Sequence, residues 1–146
     1  MADEQIPILQ IEWTTLQTQF DSYEKYSLVI KLLSIVLCCT LVFALDTGVW
    51  PLLVVAILWL QDGIWKTFQN RIAKRLEAVE QALQDSTLAT KEHLSHIGMQ
   101  FNLAWNQSRP GTVGLVGEYI KQSLKPTVAY PHIVLSALVI MELYVI

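Results

Sequence analysis

The feature that most constrains this chain is residues 50–83, where a run of apolar side chains passes into an amphipathic pattern without a strong helix breaker. Residues 50–60 carry no charge. Beyond them, apolar residues recur at intervals of three and four, as Trp65, Phe68, Ile72, Leu76, Val79 and Leu83. That spacing is typical of a helix with one buried stripe. We predict a single helix, about 50 Å long at about 1.5 Å per residue, that crosses a bilayer and continues into water as a rod.

Apolar residues are concentrated in three blocks. The chain is 53% hydrophobic and 16% charged, which is rich in apolar residues for a soluble domain of this size. The excess lies in residues 26–45, 49–64 and 127–146, each close to the ~17–25 residues that span a bilayer as a helix. We therefore predict an all-α polytopic membrane protein with three transmembrane helices and a cytoplasmic helical hairpin or coiled-coil bundle.

The basic residues predict the orientation. All ten lie at the start of the first block or between the second and third: Lys25, Lys31, Lys66, Arg71, Lys74, Arg75, Lys91, Arg109, Lys121 and Lys125. Basic residues mark the cytoplasmic side of membrane proteins. We expect the N-terminus and central loop in the cytoplasm, the C-terminus on the outer side, and a plasma or inner membrane location.

Amphipathic helices are expected on the cytoplasmic side. Residues 1–25 form the first, with a stripe of Leu9, Trp13, Leu16, Phe20 and Tyr23. Residues 65–108 form a hairpin that turns at Asp85 and Ser86 and returns with Leu94, Ile97 and Phe101. Residues 112–125 form a short elbow helix in the membrane interface. We predict that these stripes form contacts within a bundle or between copies, and that the chain is a homo-oligomer with a further protein partner on the bundle.

Charge adds two expectations. The first 24 residues carry five acids and no base, whereas residues 66–84 carry four bases and two acids, so these segments are complementary within one subunit or between neighbours. The bases beside the membrane are expected to contact anionic lipid headgroups, and they are Lys66, Arg71, Lys74, Arg75, Lys121 and Lys125.

Few residues are candidates for chemistry. Asp62 and Glu142 are acids inside or bordering the spans, where an ionisable residue is a functional candidate by default; Asp62 is expected to reach the inner interface. His93 and His96 are spaced for two metal ligands on a helix, which is too few for a site. The glycines at 111, 114 and 117 lack a phosphate-loop ending and favour a flat face for close helix contact or a hinge.

The sequence contains no arguable catalytic constellation and no nucleic-acid signature, and it predicts no metal or cofactor. The leading hypothesis is a non-enzymatic membrane scaffold or a membrane subunit of a larger assembly. One alternative is a pore-forming, channel or holin-like protein. Another is a haem- or quinone-binding anchor subunit that uses His132 and Tyr130.

Overall fold

The computed structural model describes residues 2–45, 48–88 and 111–145, with side chains over 6–45, 48–84 and 111–144. This part of the chain is all-α, as predicted. The helices are α1 (Ala2–Cys39), α2 (Trp50–Leu88), α3 (Thr112–Ser123) and α4 (Pro126–Val145), and α1 continues into a π-helical turn, Thr40–Ala44. Three segments are long and apolar enough to cross a membrane: Ile6–Ala44, Trp50–Gln84 and Pro126–Tyr144.

The continuous helix predicted from residue 50 is confirmed. α2 has 39 residues and is about 58 Å long. Pro51 lies in its first turn, where the missing N–H removes no intrahelical bond. The turn predicted at Asp85 and Ser86 is wrong, because α2 continues to Leu88. The predicted return arm, with Leu94, Ile97, Phe101, His93 and His96, lies outside the described residues.

α1 and α2 run antiparallel along most of their length. Gly48 helps to reverse the chain between them, with a φ of 62° that favours glycine. The hydrogen-bonded pairs then step in opposite directions along the two helices: Trp13 with Glu80, Phe20 with Gln69, and Ser27 with Asp62. The polar halves of both helices therefore form one two-helix rod.

In the rod, the apolar stripes of α1 and α2 pack against each other. Its core consists of Leu9, Leu16, Ile72, Leu76, Val79 and Ala82, flanked by Trp13, Phe20, Tyr23 and Leu83. Phe68 is half-buried. The stripe residues therefore pack against each other within one chain, so the described part of the rod does not need a second copy to cover them.

α4 completes a three-helix bundle. Leu135 and Val139 pack with Cys38 of α1 and Val55 of α2, and Val42 and Leu52 flank them. His132 lies beside Asp62 whereas Val139 lies beside Val55, so α4 is antiparallel to α2 and parallel to α1. The end of α4 therefore lies at the same end of the bundle as the α1–α2 turn.

Side-chain exposure changes abruptly along the bundle. In residues 12–25 and 61–84 no large apolar side chain is exposed. From Tyr26 on α1, and up to Leu60 on α2, such side chains are exposed on most turns, and they are again exposed throughout α3 and α4. We call the level of Tyr26 and Leu60 the exposure boundary. The apolar part of α1, from residue 26 to 44, is about 28 Å long, close to the ~30 Å of a hydrocarbon core.

Candidate functional site: a buried polar cluster between the long helices

Polar side chains line the inward face of α1 on the apolar side of the exposure boundary. Ser27, Lys31, Ser34 and Cys38 follow one another at intervals of four, three and four. Ser27, Ser34 and Cys38 are buried, and the Lys31 side chain is 21% exposed. This spacing places all four on one face of the helix. The face turns toward α2 and α4, so polar groups occupy the interior of an otherwise apolar bundle.

Asp62 is at the centre of this interior and is fully buried. Its Oδ1 accepts a hydrogen bond from Ser27 Oγ. Its Oδ2 lies 3.7 Å from Lys31 Nζ and 3.7 Å from His132 Nε2. Both separations exceed hydrogen-bond length, and neither Asp62 Oδ2 nor His132 Nε2 has a hydrogen-bond partner. Lys31 Nζ and His132 Nε2 therefore both lie beside Asp62 Oδ2 without a direct hydrogen bond to it.

His132 is fully buried and faces protein groups on every side described. Its Nδ1 lies 3.4 Å from Ser34 Oγ. Its ring stacks on Trp59 with centroids 6.1 Å apart and planes inclined by 13°. Trp59 Nε1 in turn donates to the carbonyl of Ser123 at 2.8 Å, and Lys31 Nζ donates to the carbonyl of Thr127 at 3.1 Å. The start of α4 is thereby joined to both long helices through polar contacts.

The cluster places Ser34, His132 and Asp62 in line, an order that also occurs in hydrolases. A hydrolytic nucleophile must reach its substrate, and Ser34 has no exposed surface. The arrangement joins α1 to α2 through Ser27 and Asp62, and α1 to α4 through Ser34 and His132. Toward the end of α4 it is closed by the apolar core around Val55 and Val139, whereas Lys31 reaches solvent toward the rod.

α3 docks on α2 at Gly63. A Cβ added to Gly63 would lie 1.8 Å from Ser123 Oγ and 3.1 Å from the carbonyl oxygen of Tyr119, so only glycine allows this approach. Arg71 pairs with Glu118 further along the same interface. The glycines after residue 110 make no close contact within the described chain: Cβ atoms added at positions 111 and 117 meet nothing within 4 Å, and Gly114 is exposed.

The predicted charge complementarity occurs within one chain. Arg75 pairs with Glu12 at 2.8 Å, and both side chains are largely buried. Arg75 and Arg71, predicted as headgroup ligands, thus pair with carboxylates of the same chain. Lys66 Nζ donates to Gln69 Oε1 at 2.7 Å. Three other predicted headgroup ligands are exposed: Lys74, Lys121 and Lys125.

The two acids predicted within or beside the spans differ in setting. Asp62 is predicted to reach the inner interface; it lies two residues from Leu60, at the level of the exposure boundary, and its carboxylate is buried between three helices. Glu142 is half-buried and within electrostatic range of Cys38, away from the cluster. Tyr130 is 72% exposed whereas His132 is fully buried, so the structure does not bring these two proposed cofactor ligands into one pocket.

Sequence reasoning missed the roles of Ser27, Ser34 and Trp59. The available signal was the regular spacing of Ser27, Lys31, Ser34 and Cys38 within an apolar segment, since a polar stripe there faces protein far more often than lipid. Among the described residues, no three His, Cys, Asp or Glu side chains are placed to hold a metal ion. No known protein family, curated protein or solved structure matches the chain.

Proposed function

We propose that this chain is a non-enzymatic integral membrane protein that crosses the bilayer three times and acts as a scaffold or membrane subunit of a larger assembly. The observation that carries the proposal is the change in side-chain exposure at Tyr26 and Leu60. Exposed apolar surface in water is unfavourable by about 25 cal/mol per Å². A bundle covered on most turns by Leu, Ile, Val and aromatic side chains is suited to lipid, whereas the rod is suited to water.

The placement of charge supports one orientation. Every Lys and Arg whose side chain is described lies at the exposure boundary, in the rod, or in α3 and the junction after it, except Lys31, which lies about 1.4 turns past Tyr26 on the apolar side. The turn at Gly48 and the end of α4 lie at the opposite end of the bundle. By the positive-inside rule the rod is cytoplasmic, and the far end of α4 is on the outer side of a plasma or inner membrane.

α3 has the surface of an interfacial helix. Val113, Val116, Ile120 and Leu124 are exposed, whereas Glu118 is held by Arg71 of α2. Lys121 is exposed on the same helix. An apolar face bordered by lysines is typical of helices that lie in the headgroup region. This position fits a helix that directly precedes a membrane span.

The proposed self-association involves the membrane spans. Because the apolar stripes of the rod pack against each other, the apolar surfaces that remain for contact between copies are those of α1 and α4. Cys39 lies on such a face and is exposed, whereas its neighbour Cys38 is buried. Oxidation in membranes is therefore expected to yield a disulfide-linked dimer that is abolished by Cys39→Ser and retained in Cys38→Ser.

Mass measurement provides the independent test of assembly. The protein is reconstituted in lipid nanodiscs or kept in mild detergent, and its mass is determined by light scattering. The proposal predicts oligomers in both media. Monomers alone in both, together with no Cys39-dependent dimer in membranes, would exclude a self-associating scaffold.

A second candidate is a path for ions or protons, favoured by the polar stripe of α1 and its contacts with Asp62 and His132. The apolar core at Val55 and Val139 closes this stripe toward the outer end, so an open pore is not formed. Leakage of ions from liposomes that is lost in Asp62→Asn would support this function, and tight liposomes would exclude it. The haem alternative gains no support, because the His132 nitrogens face Ser34 and Asp62.

A further inference from the structure

We propose that a pocket between α1 and α2 at the exposure boundary binds the phosphate of an anionic phospholipid, with the acyl chains lying on the apolar face of α1. This inference rests on the proposed membrane insertion. The pocket is open, has a volume of about 250 Å³, and is lined by Glu24, Lys25, Ser27, Leu28, Lys31 and Lys66.

The pocket carries an excess of positive charge. Three ammonium groups line it with the carboxylate of Glu24, and the carboxylate of Asp62 behind it pairs with Lys31, so the three cations outnumber the two acids. Lys125, from the junction of α3 and α4, also lies within electrostatic range of Lys66. Like charges held together at a membrane surface repel, and an anion with several acceptor oxygens relieves that repulsion.

Donors remain available in the pocket. Lys66 uses one N–H toward Gln69, and Lys31 uses one toward the carbonyl of Thr127. An ammonium group has three N–H donors, so each lysine can still donate to a phosphate oxygen. The nearby Asp62 is already engaged by Ser27 and paired with Lys31, and it lies deeper in the bundle.

The position of the pocket indicates that the bound phosphate belongs to a lipid. Lys25 lies on the rod side of the boundary, and the exposed Leu28 lies on the apolar side. Trp65 packs beside the boundary with centroids 4.8 Å from Tyr23 and 5.5 Å from Tyr26. Such aromatic side chains are typical of the headgroup level. A lipid whose phosphate binds here therefore has its acyl chains on the exposed apolar surface of α1.

The test is native mass spectrometry of the full-length protein, delipidated in mild detergent and titrated with phosphatidic acid or with phosphatidylcholine of the same acyl chains. We expect one saturable phosphatidic acid adduct and much weaker phosphatidylcholine binding. The variant Lys25→Gln/Lys66→Gln is expected to weaken the adduct about 30-fold, about fivefold per lysine. Both substitutions leave the buried cluster unchanged.

The control is Lys74→Gln, which removes an exposed lysine of the rod outside the pocket and is expected to retain the adduct, whereas Lys25→Gln alone is expected to weaken it about fivefold. Equal loss in the control and the pocket variants, or loss in neither, would overturn the site. Displacement of the lipid by excess inorganic phosphate would overturn the lipid source. Release of the protein from membranes by alkaline buffer without detergent would instead contradict the proposed membrane insertion, so the two failures are distinguishable.

Discussion

Replacing Asp62 with asparagine tests whether the buried cluster holds the long helices together. Asparagine keeps the shape of the side chain and an oxygen that can accept from Ser27, but it removes the negative charge facing Lys31. Breaking a fully buried ion pair is destabilising by about 3–5 kcal/mol. The Lys31 side chain is 21% exposed, so its ammonium can turn toward water and recover part of that loss. We expect Asp62→Asn to be destabilising by about 2 kcal/mol, about a 30-fold change in the folding equilibrium.

The measurement is unfolding of the purified protein in mixed micelles by added SDS, followed by far-ultraviolet circular dichroism and tryptophan fluorescence. The matched control is Asp21→Asn, an identical substitution at an exposed carboxylate that accepts a hydrogen bond from Gln17 within its own helix. The control is expected to change stability by less than about 0.5 kcal/mol.

A double-mutant cycle separates the hydrogen bond from the charge. Ser27→Ala and Asp62→Ala remove the two partners of the hydrogen bond that Asp62→Asn retains, so their effects are expected to be non-additive by about 1 kcal/mol. Strictly additive effects would show that the contact contributes nothing. An Asp62→Asn protein as stable as the Asp21→Asn control would contradict the assignment of the cluster as the polar link between the helices.

The remaining predictions concern packing. Gly63→Ala is expected to be destabilising by about 1–3 kcal/mol in the same assay, because its Cβ meets Ser123. Gly117→Ala has open space around it and is expected to be neutral or stabilising by up to about 1 kcal/mol. Equal effects of the two substitutions would contradict the docking of α3. Leu9→Ala, at a side chain with 0% exposure, is expected to be destabilising by about 2–5 kcal/mol, and a change below 0.5 kcal/mol, as at an exposed site, would contradict the rod core.

The long helices could be predicted from local information. The spacing of apolar residues along the second half of α2 defines one face of a helix, and the absence of a breaker between its apolar and amphipathic parts predicts continuity. The same reasoning predicts the stripe of α1. The complementary charges near Glu12 and Arg75 indicate that the two segments attract, and the structure pairs them within one chain.

The cluster could not be assembled from the sequence because its parts lie on three helices. Asp62 and His132 are 70 positions apart, and their contact depends on how far each helix is rotated about its axis. An apolar segment without a clear stripe does not fix that rotation, since lipid-facing and core-facing positions are both apolar.

The stripes were assigned to contacts between copies as well as within a bundle because thin amphipathic helices bury little alone. The structure shows that α2 returns beside α1 with its stripe in register, so the two stripes cover each other. The sequence pattern indicates which face of each helix is apolar. Which helix packs against that face depends on the chain reversal at Gly48. The close approach at Gly63 was missed because a single glycine inside a helix carries no periodic signal.

The measurement that tests the central claim most directly is the accessibility of single cysteines in sealed cells or vesicles, in a background lacking Cys38 and Cys39. We predict that cysteines at Gly48 and Tyr144 react with a membrane-impermeant thiol reagent from the outer side. Cysteines at Gln19 and Lys74 should react only after permeabilisation. Labelling of Tyr144→Cys and Lys74→Cys from the same side of an intact membrane would contradict three spans with the cationic rod in the cytoplasm.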